Sequence, residues 1–99
     1  METLMVKSPY LERATAMIKD AIAKKIALLE HSRERTRKKL EKFEQKYNVT
    51  SEHFIKEWAA EDLEGKDMEY VEWAGEYHCL VSIDEDLTIL KSLEYVVTQ

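Results

Sequence analysis

Residues 9–47 read PYLERATAMIKDAIAKKIALLEHSRERTRKKLEKFEQKY, with apolar or small side chains at Leu11, Ala14, Ile18, Ile22, Ile26, Leu29, Ser32, Thr36, Leu40, Phe43 and Tyr47. Each step is three or four residues, the signature of one face of an α-helix. Ser8-Pro9 opens the segment, with Ser as N-cap and Pro at the first helical position. No breaker follows before Asn48. A helix over 9–47 is roughly 58 Å long at 1.5 Å per residue. That exceeds any small globular core, so the helix is expected to lie along a second long helix. The stripe weakens at Ser32 and Thr36, inside the charged run from Glu30 to Lys39. That segment is expected to meet solvent or a partner.

Working outward, residues 1–8 carry no periodic signal and are expected to be a flexible N-terminus. Asn48 suits a left-handed helix end, because its short polar side chain tolerates positive φ. Thr50 follows as the next N-cap, with Val49 and Phe54 at the two positions of a hydrophobic staple. A second helix is expected from Ser51 to Leu63, presenting Phe54, Ile55, Trp58 and Ala59 and ended by Gly65. Asp67 is expected to cap a third helix with an apolar face of Tyr70, Val71, Trp73, Ala74, Tyr77, Leu80 and Val81. Leu80, Ile83, Leu87, Leu90 and Val97 keep helical spacing across Ile83-Asp84-Glu85-Asp86. The expectation is therefore one helix over 67–97, with a kink near Ser82 as the variant. Gly75 inside it costs about 1 kcal/mol against Ala without ending it. The expected fold is all-α: long helix, short helix, long helix. It is a single helical domain over 9–99, an antiparallel, coiled-coil-like hairpin that is expected to oligomerise.

Charge supports the hairpin. Residues 1–47 hold 12 Lys/Arg and 7 Asp/Glu, whereas residues 48–99 hold 3 and 13. A basic arm and an acidic arm are expected to fold against each other or to pair between chains. Two glycines and one proline in 99 residues leave too few turn formers for a β-fold. No apolar run approaches the roughly 18 residues of a membrane span, and Met1 to Tyr10 has no apolar signal core. Cys79 stands alone and cannot close an internal disulfide, so a cytoplasmic location is the default expectation.

Catalytic chemistry finds little to build on. His31, His53 and His78 fall on three different expected helices, and none has a second His at i+3 or i+4 as helical zinc ligands would. His78 and Cys79 are neighbours but point about 100° apart on a helix. Glu69, Glu72 and Glu76 form a stripe, which is ordinarily a solvated or salt-bridging face. The Glu-x-x-His motif of a di-iron bundle is absent: Leu28, Thr50 and Gly75 precede the three histidines by three residues. No glycine-rich phosphate loop occurs. The expectation is a non-enzyme with no metal and no cofactor.

Two clusters suggest binding. Arg33, Arg35, Arg37, Lys38, Lys39, Lys42 and Lys46 make a basic run suited to phosphates, although Glu34, Glu41 and Glu44 dilute it. Trp58, Tyr70, Trp73 and Tyr77 concentrate residue types enriched at interface hot spots, and the same rings suit a core equally well. Trp73 is expected to be buried, and Trp58 to be either buried or a partner's anchor.

Lys46-Tyr47-Asn48-Val49-Thr50-Ser51-Glu52-His53-Phe54 is followed by Leu63-Glu64-Gly65-Lys66-Asp67-Met68-Glu69-Tyr70-Val71-Glu72-Trp73-Ala74. This pattern resembles a group of small prokaryotic proteins in which a charged helix ends in a Lys-Tyr-Gly turn, then Ser-Ser-Glu-Glu-Phe, an acidic Gly-Asp turn and a Glu-Trp-Ala helix. Members look like the antitoxin halves of toxin–antitoxin pairs, beside toxins of the TumE type. The likeness covers roughly half of the chain. Asn48 stands here in place of the turn glycine, and His53 in place of a glutamate.

The resemblance implies a protein-binding module that oligomerises through its helices and masks a cognate toxin. Partner contact is expected at Trp58, Tyr70, Trp73, Tyr77, Glu69, Glu72 and Glu76. The alternatives are a nucleic-acid-binding helical dimer using Arg33, Arg35, Arg37, Lys38, Lys39 and Lys42, or a purely structural coiled-coil oligomeriser.

Overall fold

The unbroken stripe of the long arm becomes one continuous helix, α1, over Leu11–Tyr47. The computed structural model describes residues 2–63 and 65–96. Beyond α1 it contains α2 over Ser51–Glu57, a single 3-10 turn over Ala60–Leu63, and α3 over Asp67–Lys91. All regular structure among the described residues is helical. The molecule is an elongated rod of 63 × 25 × 18 Å, because α3 runs back antiparallel along α1. No helix among the described residues is long and apolar enough to cross a membrane.

The turn chemistry is local and specific. Asn48 sits at φ 54°, and the Val49 amide donates to the Glu44 carbonyl as α1 ends. The Thr50 side chain accepts from the His53 amide and caps α2. Val49 and Phe54 both join the core, as a hydrophobic staple requires. Gly65, at φ 87°, supplies the reversal before α3. At Asn48 a residue without local hydrogen-bonding capacity pays the left-handed penalty in full. Asn48→Ala is expected to lower stability by about 1 kcal/mol, and Asn48→Gly not to lower it. The check is the urea midpoint at unchanged slope.

Several expected boundaries are corrected. α1 starts at Leu11, not Pro9: Tyr10 is the N-cap residue, and Ser8 Oγ instead accepts the Tyr10 amide at 3.0 Å. α2 ends at Glu57, because Trp58 turns extended (φ −100°, ψ 145°) to lay its ring against the core. The Asp62 carboxylate then accepts the Ala59 amide at 2.7 Å, and the chain restarts as the 3-10 turn that buries Leu63. Lys66, not Asp67, is the N-cap of α3, and Asp67 lies in the first turn. α3 passes through Asp84–Asp86 without a break but stops at Lys91 instead of 97. There Ser92 Oγ donates to the Ile89 carbonyl and competes with the helical ladder. Val97 lies outside the described residues.

The hairpin has two cores. The larger contains Leu40, Phe54, Leu63, Trp73 and Leu80, flanked by Phe43, Tyr47, Trp58, Tyr70 and Tyr77. The smaller contains Leu29, Ile83 and Leu87, with Ile26 and Leu90 against it. Thr36 is buried between them, and Arg33 bonds Asp84 across the helices at 2.6 Å. The segment from Glu30 to Lys39 thus meets solvent along most of its length, but its stripe side is covered: Thr36 sits inside while charges pair around it. Val71 and Val81 were expected inward but are exposed.

Candidate functional site

Charge complementarity between the arms is built into the hairpin. Lys46 pairs with Glu69, Lys39 with Glu76 at 3.3 Å, Arg33 with Asp84 and Lys91 with Glu30 at 2.8 Å. These four rungs run from the aromatic end to the far end in strict antiparallel order. All are at least partly exposed, so each fixes register more than it stabilises.

The rungs redistribute the residues singled out for binding. Glu69 and Glu76 are half-buried and engaged by the chain's own lysines. Trp73 is fully buried, stacked on Phe54 with centroids 3.7 Å apart. It has no surface to offer a partner, because three helices close around it. Trp58, Tyr70 and Tyr77 are half-buried at the rim of the same core. Glu72 is exposed. Of the basic run, Arg37 pairs with Glu41 and Glu44, and Lys38 with Glu34. Arg33 and Lys39 hold the acidic arm. Arg35 reaches only the Ser32 hydroxyl, and Lys42 pairs with no carboxylate among the described residues.

Glu69 also accepts a hydrogen bond from the Tyr47 hydroxyl. Its carboxyl is held below the ordinary 4.5, first by the hydrogen bond from Lys46 and then by that from Tyr47. Lys46 is raised above its ordinary 10.5, chiefly by the same bond to Glu69, and Tyr47 is raised chiefly because its hydroxyl donates a hydrogen bond to Glu69. A depressed carboxyl contributes stability that is present above its unfolded pKa and lost as pH falls through the folded one. A raised ammonium contributes stability present below its unfolded pKa and lost as pH rises through the folded one. Glu69→Gln is therefore expected to melt below wild type at about pH 7 and by a smaller margin at about pH 3. Paired thermal melts at the two pH values check this.

A different surface was missed by the sequence reading. Among the described residues, the exposed large hydrophobic side chains other than Met68, Val71 and Val81 gather toward the end remote from the aromatic core. They are Leu4, Met5, Val6 and Tyr10 before α1, Met17, Ile18 and Leu28 on it, and Ile89, Leu93, Tyr95 and Val96 at the other terminus. The expected helix over 67–97 hid the signal: a third helix that long would cover more of α1, whereas α3 stops at Lys91. An open groove of about 430 Å³ lies there between Ile22, Ala23 and Ile26 of α1 and Leu90, Leu93 and Tyr95. Lys19 lies over the Tyr95 ring at 5.0 Å on the groove wall.

Among the described residues no three His, Cys, Asp or Glu side chains converge as a metal site would require. Cys79 is exposed. No protein-family model matches the chain, and neither curated proteins nor solved structures include a significant match to it.

Proposed function

We propose that this chain is a protein-binding helical module, resembling the antitoxin of a toxin–antitoxin pair, that oligomerises through its helices and masks a partner protein. It acts by binding, without catalysis. The observation that carries the reading is the unevenness of the rod. One end is sealed around Trp73, while the other leaves a long apolar helix face and two flanking segments in water. Contiguous apolar surface of this kind marks protein interaction in a folded chain.

The acidic half supports a basic partner. Glu52, Glu57, Glu72, Glu85 and Asp86 are exposed, and their field would steer a cationic surface toward α2 and α3. Trp58, Tyr70 and Tyr77 are half-buried on the same elements. The nucleic-acid alternative has less to work with, since most of the basic run already holds carboxylates of the same chain. The test is affinity purification of the tagged full chain from its own cells. Recovery of a small basic protein in fixed stoichiometry is expected, with retention weakened in Glu72→Lys. Recovery of the chain free of any stoichiometric protein would overturn the reading.

A further inference from the structure

We infer that the first four turns of α1 are the self-association surface of this chain, with two copies packing these arms antiparallel about Ile18. The inference rests on the protein-binding reading and names the first partner as a second copy.

The hairpin leaves α1 without company. α1 has 37 residues and α3 has 25. The rung between Lys91 and Glu30 places the end of α3 near Glu30. Among the described residues, everything on α1 well before that rung therefore has no helix opposite it. Of the described chain, the non-helical segment 93–96 runs alongside, touching Lys19 through Tyr95.

The arm is apolar over more than one seam. Thr15, Ile22 and Leu29 continue the line that faces α3. Leu11, Ala14, Ile18, Ala21, Lys25 and Leu28 form a second line, alternating three and four residues as a coiled-coil seam does. Met17 lies beside it. Met17 is 69% exposed, Ile18 37% and Leu28 59%. The flanking segments add Leu4, Met5, Val6, Leu93, Tyr95 and Val96 as further exposed apolar side chains at this end.

Charge selects a second copy and its direction. Lys25 occupies a seam position. Parallel, in-register arms would set Lys25 against Lys25, which is repulsive. An antiparallel pairing about Ile18 sets Lys25 over Leu11, Ala14 near Ala21, and Ile18 on Ile18. It also brings Glu12 within reach of Lys25 of the partner subunit, twice by symmetry. The one ion pair within the arm among the described residues is Lys24 with Asp20, so Glu12 and Lys25 are available for this role. The contact uses the same patch on both copies and closes at two, whereas a head-to-tail contact would grow into filaments.

Sedimentation velocity of the full chain is expected to give a two-chain mass. Ile18→Glu is expected to give one chain with unchanged helical circular dichroism, because two carboxylates meeting at the two-fold axis weaken association by more than about tenfold. Direction is read by oxidation in a Cys79→Ser background: Ile18→Cys forms a disulfide-linked dimer and Leu11→Cys does not. A wild type that stays a single chain at high concentration overturns the inference, as does equal cross-linking at both positions. A single chain whose capture of another protein is lost in Ile18→Glu removes the second copy but keeps the protein-binding reading. A dimer that captures nothing removes only the masking role.

Discussion

Trp73→Ala is expected to abolish cooperative unfolding near room temperature or to lower the melting temperature by tens of degrees. The indole is fully buried and is sandwiched by rings: Phe54 at 3.7 Å, Phe43 at 5.4 Å and Tyr47 at 5.5 Å between centroids. Trp58 meets it edge-on at 6.3 Å. Deleting such a side chain costs about 3–5 kcal/mol, from lost transfer energy and from a cavity that three helices cannot collapse. The Nε1–H also donates to Ser51 Oγ at 2.9 Å, a buried bond that ties α3 to the first residue of α2. Small domains are stable by only about 5–15 kcal/mol, so this single change removes a large share. Trp73→Phe keeps part of the stacking and loses the bond. It is expected to fall between wild type and Ala, and differential scanning calorimetry ranks the three. Equal melting of Trp73→Ala and wild type would mean that the aromatic cluster is not the keystone of the fold.

Most of this architecture was readable beforehand, for reasons that can be located. The stripe from Leu11 to Tyr47 has one period, so α1 has one solution. Thr50 and Asn48 act through their own side chains on adjacent backbone, and such caps are written in local sequence. The arm charges paired as their signs required. What resisted reading depends on tertiary choice. Nothing near Trp58 breaks a helix. α2 stops because burying the ring and capping the Ala59 amide with Asp62 together outweigh the helical hydrogen bonds forgone. α3 carries apolar residues on more than one face, with Val71 outward and Leu87 inward. Its inner face was therefore ambiguous until α1 was laid against it. The end of α3 turned on one hydroxyl, that of Ser92.

The candidate site was harder for a related reason. Trp and Tyr serve cores and interfaces alike, so composition alone could not separate Trp73, which is internal, from Trp58, which is at the rim. The same holds for Glu69 and Glu76: on a helical wheel they look like a solvated stripe, yet each neutralises a lysine from α1. The exposed apolar end follows from a length mismatch between two helices, a quantity that exists only once both ends of α3 are placed.

Leu40→Ala is expected to cost about 2–5 kcal/mol, whereas Ile18→Ala in the same stripe is expected to cost less than about 1 kcal/mol in a single chain. The two positions are twenty-two residues apart and read identically in the sequence, as apolar residues on one helix face. Leu40 is fully enclosed by the larger core, and its truncation leaves a void bounded by aromatic rings that cannot close. Ile18 is 37% exposed and has water, not protein, over part of its surface. Truncating it removes only the contacts of a side chain that the lone hairpin does not enclose. Chemical denaturation at low concentration measures the intrinsic difference. Repeating it at high concentration adds the linkage between folding and association: if the arm pairs with a second copy, the Ile18→Ala penalty grows with protein concentration while that of Leu40→Ala does not. A concentration-independent penalty at Ile18 would confine its role to the single chain and leave the far end of the rod to some other partner.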